Sequence, residues 1–484
     1  APARIADVAI KDGRILAVGK FQVKMAEIEI NCQGLVIAPG FIDLHNHSDD
    51  QIVDSKTRSN LNYLTQGCTT IVTGNCGSGP VNVGKYYDTI DKLGAGTNVL
   101  HLLPQGSLRN EVMGTANRPP TSDEMRTMRQ LVAKAMEDGA WGMSSGLIYV
   151  PSSYADTDEL VAIAKIVGDH NGIYVSHIRN EGPELLASIE EALNIGRRGN
   201  LPVHISHIKS SGQESWGLVR RAAGMIEEAR KKGEIVTADQ YPYTASSTSL
   251  EATLIPVWAR SGGHQALLDR LKDPDVSGKL IAEITKELKR KDDGEPIRIA
   301  RYAAKPEWIG KSILEIADEE KQDPLAIVLE ITRNGGASVV NFGMSEEDVR
   351  YVMALPWVAT ASDGRAYLPG SDRPHPRSYG TFSRKIGHYA IKENVVSLAQ
   401  AIRSSTSLPA EIIGLTDRGY IKSGYVADLV VFDPQSFIDA ATFDAPHQHS
   451  RGVMHVYVNG VAAITNGKPT GALAGKSIRH QISK

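Results

Sequence analysis

Three segments at a fixed spacing constrain this chain most. IYVSHI, VHISHI and IVTADQY are short and rich in β-branched residues, as expected of strands covered on both faces. His207 follows His177 by 30 positions, and Tyr241 follows His207 by 34. A strand, a crossover helix and their turns need roughly 30 residues, so each interval is one βα unit. Helical patterns fill the gaps, over Glu184 to Arg198 and Leu218 to Lys232. Upstream, Thr121-Ser-Asp-Glu124 is a capping box that opens a helix to about Glu137. AWGMSSG follows as a strand, and a helix from Asp156 to His170 stops at Asn171-Gly172. This alternation, in 484 residues of which 41% are hydrophobic, predicts a (β/α)8 barrel.

The two ends follow a different pattern. IADVAI and ILAVG flank the turn Lys11-Asp12-Gly13-Arg14, which predicts a hairpin. ADLVVF, VMHVYV, Asn459-Gly460 and VAAIT near the C-terminus read the same way. Residues 1–38 and 416–484 are therefore expected to form one small β domain beside a barrel spanning 39–415. The period lapses at about 249–319, where the charged run KELKRKDDGEP lies. That stretch reads as an insertion in the position of a lid, and the pattern resumes with a helix over DPLAIVLEITRNGG.

The formal net charge of −3 gives no basis for a nucleic-acid or acidic-membrane partner. No apolar run is long enough to span a bilayer. Three cysteines, Cys32, Cys68 and Cys76, do not make a disulfide framework. Free thiols fit a reducing, cytoplasmic location, while a first residue other than Met leaves export open. Cys32 and Cys68 read as small buried apolar groups.

Barrel enzymes place their chemistry at the C-terminal ends of strands. Five such ends carry metal-ligand types: His45 and His47 in FIDLHNHSDD, Cys76 in VTGNCGSGP, His177, His207, and Asp363 in VATASDGRA. Residues two apart on a strand face one side, so His45 and His47 can face one ion. His204, three residues from His207, is expected to pack away from it. Each signal alone is weak. Together, nitrogen, sulfur and carboxylate donors at successive strand ends point to zinc. The glycines after Cys76 let the chain turn away from it.

Gly142-Met-Ser-Ser-Gly146 matches the nucleophile-elbow pattern, but LIYVPSSY follows without a helical period. Ser144 or Ser145 is expected to line the pocket or support a loop. TGALAGKS has Thr470 where a phosphate loop requires glycine. A metal-free serine hydrolase using Ser144 and a binding protein on a barrel scaffold are the readings from other classes, and zinc content separates them from a metal hydrolase.

APGFIDLHNHSD, GNCG, GMSSGLIYVPSSYAD, YVSHIRNEG, HISHIK, DQYPYTASST, ASDG and HPRSYGTF, between about residues 38 and 383, carry a resemblance. The chain resembles the amidohydrolase superfamily and, within it, the N-acyl-D-amino-acid deacylases. The resemblance implies a distorted (β/α)8 TIM-like barrel with a small β-sandwich domain from both termini; the family usually begins with one more strand before ARIADVAI, and this sequence starts after that strand. It implies zinc-dependent hydrolysis of a small N-acyl-D-amino acid to a free D-amino acid and a carboxylate. Cys76, His177 and His207 would hold a tight zinc. His45, His47, Cys76 and Asp363 would form a second, weaker position. No lysine stands at a matching strand end to bridge two metals as a carbamate, and Cys76 takes that role. Zinc would polarise the amide carbonyl and activate water, with Asp363 as general base and then acid to the leaving amine. Lys209 and Arg377 are candidates for the substrate carboxylate. Tyr241 and Ser247 resemble the remaining substrate-binding positions. The alternative is another hydrolase of the superfamily, acting on a cyclic amide or on a D-containing or isopeptide dipeptide. The cysteine in GNCG disfavours hydantoinase-like members, and the D preference rests on the resemblance alone.

Overall fold

The computed structural model describes residues 4–21 and 26–481, so residues 1–3, 22–25 and 482–484 of the expected small domain lie outside the described residues. Eight parallel strands form the barrel: Phe41–Asp43, Cys68–Thr73, Asn98–Pro104, Gly142–Gly146, Ile173–His177, Val203–Ile205, Val236–Gln240 and Val358–Thr360. The third breaks at Leu102 and serves both neighbours there. Leu102 N donates to Thr73 O at 3.0 Å, and His101 O accepts from Trp141 N at 3.0 Å.

The first and eighth strands meet through the segments just beyond their ends. Asn46 pairs with Gly364 in a parallel bridge. Asp363 N donates to His45 O, and His47 N donates to Gly364 O, both at 2.8 Å. Asp43 completes the seam. Its carboxylate accepts from Ser362 N at 2.8 Å and from Ser362 Oγ at 2.6 Å.

Alternation along the strands sorts side chains into two apolar layers. Ile71 and Val99 join the layer under the helices, with Val132, Leu160 and Ile189. Val72 and Leu100, one residue on, join Ile42, Val175 and Ala359 from strands across the ring. The outer helices have the caps their sequences predict. Thr121 and Glu124 form the capping box of Ser122–Glu137, and Asp156 accepts from Glu159 N at the start of Thr157–Asp169.

The termini meet as expected. Val36–Pro39 pairs antiparallel with Leu429–Phe432 in a five-stranded sheet that also contains Val453–Val458 and Val461–Thr465. Asn459 and Gly460 turn this last hairpin with φ of 52° and 79°, as a two-residue turn of matching twist requires. The N-terminal hairpin, Asp7–Lys11 with Arg14–Gly19, docks on the sheet through Ile15, Ala427 and Leu429.

Between the seventh and eighth barrel strands lies a subunit of fold with its own core. Ser246–Ser249, Ser338–Asn341 and Ile297–Arg301 form an antiparallel sheet. Helices Pro274–Arg290 and Pro324–Arg333 pack on it through Leu280, Ile284, Ile299, Ile327 and Val339. The helix over DPLAIVLEITRNGG therefore forms, but packs with this inserted core, which runs past residue 319 to Val339.

Candidate metal and active site

The chain reaches Cys76 through a tight turn. Strand Cys68–Thr73 ends, Gly74 takes φ 76°, and Cys76 itself takes φ 52°. Thirteen non-glycine residues among those described have positive φ, and ten are Asn or Asp, the types that tolerate it. Apart from Lys321, the exceptions are Cys76 and His207, and Asp363, φ 49°, is one of the ten. Left-handed backbone costs of order 1–3 kcal/mol per residue and clusters at functional sites.

Polar contacts hold the turn in place. Ser144 Oγ accepts from Gly77 N at 3.0 Å and donates to Gly74 O. Asp49 Oδ1 accepts from Gly74 N at 2.7 Å. Asn75 Nδ2 donates to Val72 O and Leu44 O. No helix follows Gly146 directly, so Ser144 supports a loop and does not stand on a nucleophile elbow.

The barrel brings the expected donors together. Cys76 Sγ is 3.2 Å from His45 Nε2, 3.6 Å from His177 Nδ1 and 3.9 Å from His207 Nε2. Asp363 Oδ1 is 3.4 Å from His45 Nε2 and 3.1 Å from His47 Nε2. Asp363 Oδ2 is 4.0 Å from His207 Nε2. Ligands of one tetrahedral zinc stand about 3.3–3.8 Å apart, from bond lengths of about 2.0–2.3 Å. The donor set and its spacing therefore fit zinc. The donor atoms of His45, Cys76, His207 and Asp363 all lie within 4.8 Å of one another, a set that cuts across the two positions expected from the sequence.

The electrostatics suit a cation. Burial pushes the Cys76 thiol up, but His45, His177 and His207 prevail and hold it well below its ordinary value. Burial likewise opposes the Asp363 carboxylate, while Arg377, His45 and His207 hold it well below the usual range. Thiolate and carboxylate are the forms that bind metal.

Two acidic residues that sequence reasoning missed support the imidazoles. Glu181 Oε1 lies 2.9 Å from His207 Nδ1, four residues after His177 in the same loop. Asp239 accepts from His207 N at 2.6 Å and stands 2.9 Å from His204 Nε2 and 3.5 Å from His45 Nδ1. Carboxylates behind ligand histidines fix ring orientation and tautomer. The available signal for Asp239 was an acid inside a fully buried parallel strand. His204 does face away from the donors, but into a polar chain through Asp239 and Thr237.

The residues expected to bind substrate line or flank one cavity of about 180 Å3 whose wall includes His177, His207 and Asp363. Lys209, Tyr241 and Ser247 line it. Lys209 follows the strand that ends at Ile205, and its Nζ is 2.5 Å from Glu181 Oε1 and 2.8 Å from His207 Nδ1. Arg377 lies just behind, with Nη1 2.7 Å from Asp363 Oδ2 and its guanidinium 4.7 Å from the Tyr241 ring centre. Arg377 Nη2 donates to Ser247 O at 3.3 Å.

The family model of the Amidohydrolase family matches residues 29–464. The chain belongs to the amidohydrolase family. A D-aminoacylase of Alcaligenes xylosoxydans xylosoxydans is 34% identical to this amidohydrolase, over 98% of this chain and 94% of that one. An N-acyl-D-glutamate deacylase of the same organism is 32% identical, over 97% and 92%. Among solved structures, an N-acyl-D-glutamate deacylase from Bordetella bronchiseptica, complexed with zinc and a phosphonate inhibitor, superposes with a TM-score of 0.84 at 31% identity, over 99% and 96% of the two chains. A D-hydantoinase gives 0.60 at 14% identity, over 99% and 96%, a likeness of fold.

Proposed function

We propose that this amidohydrolase is a zinc-dependent deacylase that hydrolyses N-acyl-D-amino acids to a free D-amino acid and a carboxylate. The observation that carries the reading is the sulfur of Cys76, set among three strand-end imidazoles beside a cavity that also holds Lys209 and Tyr241. The likeness to deacylases over nearly the whole chain supports it.

In this reading Cys76, His177 and His207 hold the tight zinc, and His45, His47, Cys76 and Asp363 the weaker position. Zinc there supplies Lewis-acid polarisation of the amide and activation of water. Asp363 takes the proton from the attacking water and returns it to the leaving nitrogen. Arg377, beside Asp363 and under Tyr241, receives the α-carboxylate. Its planar fork suits two carboxylate oxygens, and Lys209 and Ser247 complete that wall. Glu181, 2.9 Å from His207 Nδ1, and Asp239, 3.5 Å from His45 Nδ1, stand behind those two rings and orient them. The chain divides into residues 1–38 and 416–484 as the small β domain, and 39–415 as the barrel with its insertion.

The test follows amine release from N-acetyl-D-methionine, N-acetyl-L-methionine and N-acetyl-D-glutamate on protein of known zinc content. Release from a D substrate alone, with zinc near one per chain and lost in Cys76→Ala, is expected. Release without zinc would overturn the reading.

A further inference from the structure

Lys291 stands at the C-terminal end of the helix Pro274–Arg290 in the insertion, and it lines the same cavity as His177, His207 and Asp363. Its side chain is 13% exposed. A lysine at such a helix end commonly serves the last carbonyls, but this ammonium donates to none among the described residues. One carboxylate lies within 4 Å of it there, Glu287 Oε1 at 3.7 Å, beyond hydrogen-bond distance. That carboxylate is already held by Arg290, whose Nε and Nη2 donate to Glu287 Oε2 and Oε1 at 2.9 and 2.6 Å. Burial pushes the Lys291 ammonium down, and Glu287 offsets this only in part. A nearly buried cation without a hydrogen-bonded partner is costly unless a ligand supplies one.

The other cations of the cavity are committed. Lys209 is 2.5 Å from Glu181. Arg179 bonds Glu191 through Nε and Nη2, both at 2.9 Å. Arg290 pairs with Glu287 and Glu214. Lys291 is thus the cation on this wall with unused donors.

We propose that Lys291 is a specificity-determining residue that receives a second carboxylate on the substrate, so that the enzyme's preferred N-acyl amino acid is a dicarboxylate. The inference rests on the deacylase reading. Arg377 takes the carboxylate every N-acyl amino acid carries, and Lys291, on the wall contributed by the insertion, takes the other. That group belongs either to an acidic side chain or to a dicarboxylic acyl half.

The experiment measures kcat and KM of the zinc-loaded full chain on N-acetyl-D-glutamate, N-acetyl-D-aspartate, N-succinyl-D-methionine and N-acetyl-D-methionine. The enzyme is expected to favour at least one dicarboxylate over N-acetyl-D-methionine by tenfold or more in kcat/KM. Preference for the first two assigns the group to the side chain, and preference for the third to the acyl half. Lys291→Met should cut kcat/KM on the preferred dicarboxylate at least tenfold more than on N-acetyl-D-methionine, chiefly through KM, with Lys291→Arg restoring most of it. Equal losses on all substrates, or a wild-type preference for N-acetyl-D-methionine, would overturn the inference and leave the deacylase reading standing. Release from none of the four would overturn both.

Discussion

Replacing Ser144 with Ala separates two chemistries and tests how the Cys76 turn is built. Its hydroxyl bridges Gly77 N and Gly74 O, and both glycines are buried. The substitution leaves one amide and one carbonyl without partners, and a buried group so stranded costs about 1–3 kcal/mol. Partial relaxation of the turn reduces the sum to about 2–4 kcal/mol. That energy is local, so it belongs to the opening of residues 74–78 and not to global unfolding. A factor of ten corresponds to about 1.4 kcal/mol, so the Gly77 amide should exchange with deuterium about thirtyfold to a thousandfold faster in zinc-free Ser144→Ala than in the wild type. Mass spectrometry of the 74–78 peptide reads this directly. Ser144→Thr keeps the hydroxyl and should restore protection. Turnover at saturating zinc should survive in Ser144→Ala. Unchanged exchange would refute the clamp. Complete loss of turnover with exchange unchanged, together with wild-type turnover that persists without zinc, would make Ser144 a nucleophile and refute the metal reading.

Asp239→Asn keeps an oxygen for His207 N but sets an amide donor against His45 Nδ1, so zinc affinity should fall about 10–100-fold; chelator competition measures it, and a change under twofold contradicts the support role. Arg377→Lys should raise KM for every N-acyl amino acid about tenfold or more, because one ammonium cannot replace the fork; steady-state kinetics with an unchanged KM would move carboxylate capture to Lys209. Lys385 is buried, donates to Met353 O at 3.0 Å, and burial pushes its pKa down to about 7. The unfolded chain holds that proton up to about pH 10.4, so the folded state gains stability as pH rises above 7, by about 1.4 kcal/mol per unit. Urea unfolding at pH 7 and 9 should show this gain, roughly 2–3 kcal/mol, in the wild type and its absence in Lys385→Met; equal slopes would refute a neutral Lys385.

The ligand set was legible because the donors stand at or just past the ends of five strands, and a parallel barrel turns sequence period into a ring of strand ends. His45 and His47 pair as residues two apart, although the first strand ends at Asp43 and both lie just beyond it. Cys76 reads as a ligand from the company of the other donors, with the glycines after it letting the chain turn away. Glu181 and Asp239 were not legible, since their roles depend on which loop leans over which strand. Lys209 pointed to the site, but its partner Glu181 comes from the preceding βα unit. The insertion was seen at its charged middle and underestimated at its end. Pro324–Arg333 has the apolar stripe of a barrel helix, and nothing in one helix says which sheet receives it.

The seam between the first and eighth strands is laid by the segments that carry His45, His47 and Asp363. A cation held between those residues is a hoop on the last two staves. Chelation therefore loosens the vessel as well as emptying it: the ring should open along that joint before any other, beginning at the amides of His47 and Asp363.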